Sequence, residues 1–285
     1  MNKKKIFQRI AVTLIGVPLV LLSIFYFPHY HHALFFLVVM FFTLSGAREM
    51  KFLLEQKMGL TLPVPFWISG IFPITAYLSL FFMPTFSVIW TVLVLLILFI
   101  LSLEIFQGLR DNFTNSLTRS VMILFMLVYP GLFTPYVVYF AQFEHASHLY
   151  MFFFLLVFST DVFAYVFGMM FGKTSRGIVK ASPNKSIAGF IGGICMTMLI
   201  ALSYASLFRT SLPPFQWWHM ILLGGLVSLA SIVGDLFESV LKRSVQVKDS
   251  GHLMPGRGGI LDTIDSIVFA APVYYYLVYI WYMVR

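Results

Sequence analysis

The segment 242–265, KRSVQVKDSGHLMPGRGGILDTID, gathers charge and glycine in an otherwise apolar chain. Its glycines would let backbone N–H groups approach an anion closely, and a helix that begins near Asp262 would also favour negative charge at its N-terminus. The pattern therefore indicates a phosphate or nucleotide site, although an ordinary basic loop with flexible glycines would look similar. The segment lacks GxxxxGK[ST], which excludes a Walker-type phosphate loop. The cations are Lys242, Arg243, Lys248 and Arg257, and the glycines are Gly251, Gly256, Gly258 and Gly259.

Acidic residues lie inside or beside apolar runs, where an ionised carboxylate costs about 3 kcal/mol or more. Asp235 and Glu238 lie on one helical face with Ser239 and Lys242, and Asp262 and Asp265 are spaced i, i+3 on the next run. The two faces can meet at one side of the membrane, and their hard oxygen ligands suit magnesium. The alternative is a set of structural ion pairs between helices. A further acid, Asp161, lies mid-run in STDVFAYVFG.

A second polar segment, GKTSRGIVKASPNKSIAGFIGG at 172–193, also combines cations, serines and glycines. Lys185 and its neighbours could hold a phosphate. The competing interpretation is structural, because Ser186 is well placed to cap the following helix.

Composition indicates which elements must position these residues. The 285 residues are 60% hydrophobic and 11% charged, against about 25% charged in soluble domains. Apolar runs recur along the chain, and their lengths are close to the roughly 20 residues that a helix needs to cross a bilayer. We therefore predict an all-α, polytopic integral membrane protein, with the second helix continuing to about Gln56 as a polar extension. The nine predicted spans are 7–27, 33–47, 64–82, 87–106, 119–141, 149–171, 187–208, 217–240 and 264–283.

The basic residues predict the orientation. With the N-terminus cytoplasmic and nine alternating spans, all 19 Lys and Arg except Arg209 and Arg285 fall in cytoplasmic segments. The C-terminus is then external, and the net charge of +8 is a topology signal rather than a nucleic-acid footprint. We divide the chain into N-terminal spans, 1–148, and a catalytic region, 149–285, with cytoplasmic loops 172–186 and 242–261. The single cysteine, Cys195, excludes an intrachain disulfide.

These stretches resemble the recurrent motifs of CDP-diacylglycerol synthase, also called phosphatidate cytidylyltransferase. The segment 234–266, GDLFESVLKRSVQVKDSGHLMPGRGGILDTIDS, is similar to the family's C-terminal signature, S-x-x-K-R, then K-D-x-G, PGHGG and DR-x-D. STDVFAYVFG (159–168) and SPNKSIAGFIGG (182–193) resemble two upstream stretches in the same order. The N-terminal half matches the family only as apolar spans.

The resemblance implies that CTP and phosphatidate give CDP-diacylglycerol and pyrophosphate, with magnesium and with or without a second cation. It implies a homodimeric multi-pass enzyme of the cell (inner or plasma) membrane, whose site opens to the cytoplasm and whose lipid substrate stays in the bilayer; we expect no nucleic-acid partner. Asp235, Asp262 and Asp265 would bind metal and, with Lys242 and Arg243, act in catalysis. The implied substrate-binding residues are Asp161, Ser182, Lys185, Ser239, Lys248, Asp249, Arg257, Gly258 and Gly259.

Three departures from the family pattern stand out. Arg257 replaces the histidine of PGHGG, Thr263 replaces the arginine of DR-x-D, and SPNKSIAG has Asn184 and Ala188 where the family has lysine and glutamate. We hypothesise that Arg257 compensates for the arginine missing at 263. The alternatives are a divergent or inactive paralogue, a CTP-dependent polyprenol kinase, and a transporter. Asp161 is the one feature that a transporter would explain better than an enzyme.

Overall fold

A computed structural model describes residues 3–82, 87–109, 111–177, 179–212, 215–256 and 258–283. The fold is helical, which confirms the predicted all-α class. The α-helices are α1 (Lys3–Phe25), α2 (His29–Met58), α3 (Ile71–Phe82), α4 (Ser87–Gly108), α5 (Ser116–Met126), α6 (Pro135–Val138), α7 (Ala146–Phe171), α8 (Ile187–Leu207), α9 (Trp217–Ser244) and α10 (Leu261–Met283). A 3-10 turn, Phe66–Gly70, precedes α3, and a π turn, Leu127–Leu132, separates α5 from α6.

Seven of the described helical stretches are long and apolar enough to cross a membrane. Two shorter apolar stretches, Leu14–Phe25 and Phe66–Phe82, coincide with the first and third predicted spans. The multi-pass class is therefore confirmed, whereas the count of nine stays a prediction. The seven are His29–Met58, Val88–Gly108, Ser116–Gln142, Ala146–Phe171, Ile187–Leu207, Trp217–Ser244 and Leu261–Met283.

The second helix continues well beyond its apolar run, as the sequence predicts. Helix α2 ends at Met58, and Gly59 follows in the left-handed conformation at φ 64°. The Gly59 N–H donates to the Glu55 carbonyl oxygen at 2.9 Å, which satisfies a terminal carbonyl of the helix. Residues 48–58 are therefore a helical extension that carries Glu49 as well as the predicted basic residues.

The chain forms two compact units. The first contains the described residues within 1–142 and 245–261, and the second those within 143–244 and 262–285. The sequence prediction placed the division at 148/149 and the whole loop 242–261 in the C-terminal region. In the structure, residues 245–261 group instead with the N-terminal helices.

A buried arginine organises one turn of the first unit. Arg119 of α5 donates to Glu104 of α4 at 2.9 Å and pairs with Asp111 in the intervening turn. The hydrogen bond from Arg119 holds the pKa of the Asp111 carboxyl below its ordinary value. Arg119 therefore joins α4 to α5 in addition to any role as a topology charge.

Close glycine contacts pack α7 against α8 in the second unit. A Cβ at Gly189 would lie 2.5 Å from the Ala164 carbonyl oxygen, and one at Gly193 would lie 3.0 Å from the Thr160 carbonyl oxygen. Small residues let helix backbones approach closely where lipid provides no hydrophobic drive for association. The Thr197 hydroxyl adds hydrogen bonds to Thr160 at 3.0 Å and to Ser159 at 3.3 Å.

Candidate active site

Lys242 joins the two acidic faces that the sequence predicts to meet. Its ammonium group lies 2.6 Å from the Glu238 Oε2 atom one turn earlier on α9, and it also pairs with Asp262 in the first turn of α10. The Glu238 side chain is 1% exposed and that of Asp262 is 8% exposed. Sequence spacing placed each pair on one helical face, and the structure adds the lysine that bridges them.

The segment before α8 contributes a second cation to this site. Lys185 forms an ion pair with Asp235, whose side chain is 33% exposed. Arg243 at the end of α9 donates through Nε to the Ala181 carbonyl oxygen at 3.3 Å. The structure therefore brings loop 172–186 onto α9, although the sequence presented the two as separate polar segments.

The start of α8 fits the structural interpretation of Ser186. The Ser186 hydroxyl accepts a hydrogen bond from the Gly189 N–H at 3.1 Å, which caps the helix. Ser186 itself is buried. Its hydroxyl is therefore used within the fold, one residue after the lysine that reaches Asp235.

Asp265 lies deep in the same site, because α10 approaches α9 closely at a glycine. A Cβ at Gly234 would lie only 2.4 Å from the Asp265 carbonyl oxygen. Asp265 is 8% exposed, and its Oδ1 atom accepts a hydrogen bond from the Ser266 N–H at 2.6 Å. The charges of Asp235 and Glu238, and more weakly that of Asp161, act electrostatically on its carboxyl group.

We call the six residues Lys185, Asp235, Glu238, Lys242, Asp262 and Asp265 the acid–lysine cluster. With every member ionised, four negative charges face two positive charges, which leaves a net charge of −2. The buried Oε1 atom of Glu238 has no hydrogen-bond donor among the described residues. Excess negative charge and a bare carboxylate oxygen are the features that a hard divalent cation satisfies.

The cluster thus has the donor chemistry for magnesium but not a preassembled shell of ligands. In the described ranges, no three His, Cys, Asp or Glu side chains already converge as a metal site. Lysine ammonium groups instead hold three of the four carboxylates.

The other predicted site residues of the second unit differ in exposure. Ser239 is half-buried on α9, and Ser182 is half-buried in the loop before α8, where its N–H donates to the Val179 carbonyl oxygen at 2.9 Å. Asp161 is exposed on α7.

Residues 245–261 of the predicted glycine-rich phosphate loop belong to the first unit, and part of this segment closes on itself. Met254 and Gly258 exchange backbone hydrogen bonds of 2.9 and 3.0 Å, which closes a tight turn. That turn requires glycine, since Gly256 and Gly258 have φ values of 77° and 115°. Lys248 and Asp249 are exposed in this loop, Gly259 is buried, and Arg257 lies outside the described residues.

Glu49 is the residue that sequence reasoning missed. Its carboxylate accepts hydrogen bonds from the Ser250 hydroxyl and from the Ile260 and Leu261 N–H groups. A glutamate of the protein itself therefore accepts from the N–H groups at the start of α10. The predicted binding of a substrate phosphate by this loop stays a prediction. The only local signal was a glutamate in the helical extension after an apolar run.

Comparison with known proteins identifies the family. The model of the cytidylyltransferase family matches residues 7–281. The chain belongs to this family. It is 36% identical over 162 residues to a phosphatidate cytidylyltransferase of Aquifex aeolicus (strain VF5), which covers 56% of this chain and 57% of the relative. It is 45% identical over 127 residues to a phosphatidate cytidylyltransferase of Staphylococcus aureus (strain COL), covering 44% of this chain and 46% of the relative.

The chain is also similar to a protein whose name states no activity. The uncharacterized protein YnbB of Escherichia coli (strain K12) is 37% identical over 130 residues, which covers 46% of this chain and 42% of that protein. The chain thus spans 42–57% of the length of these three relatives. This family agrees with the resemblance seen in the C-terminal motifs.

Proposed function

We propose that this protein is a CTP:phosphatidate cytidylyltransferase that makes CDP-diacylglycerol and pyrophosphate. The observation that carries the proposal is the acid–lysine cluster, in which Lys242 joins Glu238 of α9 to Asp262 of α10 while Lys185 pairs with Asp235. These residues lie in the motifs that the sequence shares with the family. The names of the Aquifex and Staphylococcus relatives supply the substrate class.

The reaction needs alignment and charge neutralisation more than a strong base. A phosphate monoester has its second pKa near ~6, so phosphatidate is largely a dianion at neutral pH. One of its oxygens attacks the α-phosphorus of CTP, the bond from that phosphorus to the bridging oxygen of the β-phosphate breaks, and pyrophosphate leaves with the electron pair. Positioning and electrostatic stabilisation account for most of the catalysis in such transfers.

The residues of the cluster can divide these tasks between them. Asp235, Asp262 and Asp265 would hold Mg²⁺, which when bound supplies positive charge to the α-phosphate and to the leaving pyrophosphate. Lys185 and Lys242 are ammonium donors within reach of carboxylates, and the same groups can bind phosphate oxygens. Arg243 is exposed at the end of α9 and can offer two parallel hydrogen bonds to a phosphate.

The membrane setting of this activity is part of the same proposal. We propose nine crossings, a cytoplasmic N-terminus, an external C-terminus and a site that faces the cytoplasm, because the basic residues then favour one side. The protein would act in the cell (inner or plasma) membrane as a homodimer, with the tails of phosphatidate remaining in the bilayer.

Product analysis tests the proposal. Purified protein in detergent, supplied with CTP, phosphatidate and Mg²⁺, should release pyrophosphate and form CDP-diacylglycerol in equal amounts. Omission of phosphatidate is the control for nucleotide hydrolysis. Release of CDP with a polyprenol acceptor, or absence of CDP-diacylglycerol under all these conditions, would contradict it.

A further inference from the structure

Glu49 holds together two segments that lie far from it in the chain. Its Oε2 atom accepts from the Ser250 hydroxyl at 2.8 Å and from the Leu261 N–H at 3.0 Å, and its Oε1 atom accepts from the Ile260 N–H at 2.9 Å. Both oxygens are therefore used, and the residue is only 7% exposed. Within the described residues, hydrogen bonds rather than an ion pair stabilise this buried carboxylate.

Two glycines make room for the Glu49 carboxylate. A Cβ at Gly251 would lie 2.3 Å from Oε1, and a Cβ at Gly259 would lie 2.0 Å from the Ser250 Oγ atom and 2.3 Å from Oε2. Neither glycine has the left-handed conformation that requires glycine at Gly256 and Gly258. Close approach to Glu49, and at Gly259 also to Ser250, rather than backbone conformation is therefore the reason for glycine at 251 and 259.

The hydrogen bonds of Glu49 lie at the start of α10. Leu261 is the first residue of that helix, and the first N–H groups of a helix have no acceptor within it. A carboxylate at this position satisfies such groups and is favoured by the helix dipole. Asp262 follows Leu261 directly, so the orientation of the first turn of α10 determines the direction of its carboxylate.

We propose that Glu49 is a positioning residue, which fixes the start of α10 and thereby holds Asp262 and Asp265 in the orientation that cation binding needs. The functional part of this inference rests on the proposed function, whereas the hydrogen-bonded clamp does not. Because Glu49 accepts hydrogen bonds and touches no reacting atom in this scheme, its loss should change the placement of the aspartates rather than remove a ligand.

Glu49→Gln is the decisive variant, since it keeps the size of the side chain but replaces one acceptor oxygen with an amide donor facing N–H groups. Ser250→Ala removes one of the three hydrogen bonds and should have a smaller effect. Glu55→Gln is the matched control, because Glu55 lies on the same helix and also accepts from a backbone N–H, that of Leu62, at 2.7 Å. All variants are compared in the full-length protein in nanodiscs.

Three measurements are made on each variant: hydrogen–deuterium exchange of peptides covering 258–263, Mn²⁺ binding by electron paramagnetic resonance without substrates, and kcat and KM for CTP. We expect Glu49→Gln to speed exchange in these peptides, to weaken Mn²⁺ binding and to lower kcat, the last two by about 10–100-fold. The KM for CTP should change little. Glu49→Asp should recover part of the loss, and Glu55→Gln should behave as the wild type.

Each contrary result has a distinct meaning. Unchanged exchange at 258–263 in Glu49→Gln would overturn the clamp. Faster exchange with unaltered Mn²⁺ binding would overturn the positioning role and leave only a helix cap. A wild type that binds Mn²⁺ but makes no CDP-diacylglycerol would refute the proposed function, while the exchange and Mn²⁺ measurements would still decide the role of Glu49.

Discussion

Asp235 and Glu238 of the acid–lysine cluster differ in exposure, and this separates the roles that we expect for these two residues. Asp235 is 33% exposed at the side chain, whereas Glu238 is 1% exposed and accepts from Lys242. A partly exposed carboxylate such as that of Asp235 can exchange its lysine partner for a substrate-associated cation at a low cost in free energy. A closed one depends on its lysine for stability, since a buried unpaired charge is expensive.

Asp235→Asn and Asp262→Asn should each lower turnover about 100-fold or more, because each removes a charge that the proposed cation needs. Both proteins should insert and purify as the wild type does. The rate of CDP-diacylglycerol formation at saturating CTP measures the effect. Glu144→Gln is the control, since Glu144 is an exposed carboxylate outside the cluster. Wild-type turnover in either aspartate variant would exclude that residue as a metal ligand.

Lys242→Met should lower the free energy of unfolding by about 3–5 kcal/mol, because it leaves Glu238 buried without its partner. Chemical denaturation in detergent measures the change. The double variant Lys242→Met/Glu238→Gln should recover part of it, since Glu238 is then neutral and only Asp262 still lacks its lysine partner. Strictly additive losses would show that the lysine stabilises the protein by another route.

Close backbone packing at glycines helps the helices to position the cluster. Gly234 lets α10 pack closely against α9, and Gly189 and Gly193 let α7 pack closely against α8. Helix α8 begins at its Ser186 cap, directly after Lys185, so the packing of α8 also determines where that lysine is anchored. Substitutions that disturb the packing of these helices should therefore displace the residues of the acid–lysine cluster.

Gly189→Ala should destabilise the protein by about 1–3 kcal/mol, because the new Cβ would meet a backbone carbonyl at 2.5 Å that cannot easily move. Thermal unfolding followed by circular dichroism measures the change. Gly16→Ala is the control, since a Cβ at Gly16 would have open space within 4 Å. Equal stability of the two variants would refute the packing argument.

At the scale of the whole molecule, the seven helices of spanning length among the described residues and the nine predicted crossings place the segment 59–65 on different sides of the membrane. Both odd counts place the two termini on opposite sides. They differ at 59–65, which is cytoplasmic only if Leu14–Phe25 and Phe66–Phe82 also cross. The basic residues Arg48, Lys51 and Lys57 favour the cytoplasmic side for this segment.

Cysteine labelling at Thr61 distinguishes the two models. In a Cys195→Ser background, Thr61→Cys should react with a membrane-impermeant maleimide only from the cytoplasmic side of sealed vesicles. A reporter after Arg285 should be active externally in either model and serves as the orientation control. Labelling of residue 61 from the external side would contradict the nine-span topology.

The sequence alone determined the class of the protein and the faces of its functional helices. Runs of apolar residues must become helices in lipid, because each backbone polar group needs a partner within its own segment. Local spacing likewise predicted that Asp235, Glu238 and Lys242 share a face, that α2 extends past its apolar run, and that Ser186 can cap α8. These features depend on neighbours within a few residues, which a sequence displays directly.

Only the tertiary structure decided which charges meet. Lys185 pairs with Asp235 across 50 positions, and Glu49 bonds to Ser250, Ile260 and Leu261 across 201 to 212 positions. No local period encodes such partners, so the sequence did not reveal that Glu49 lies against the glycines at 251 and 259, whose part in phosphate binding stays a prediction. The sequence could not distinguish the two anions, because a carboxylate and a phosphate both accept hydrogen bonds from the N–H groups at the start of a helix.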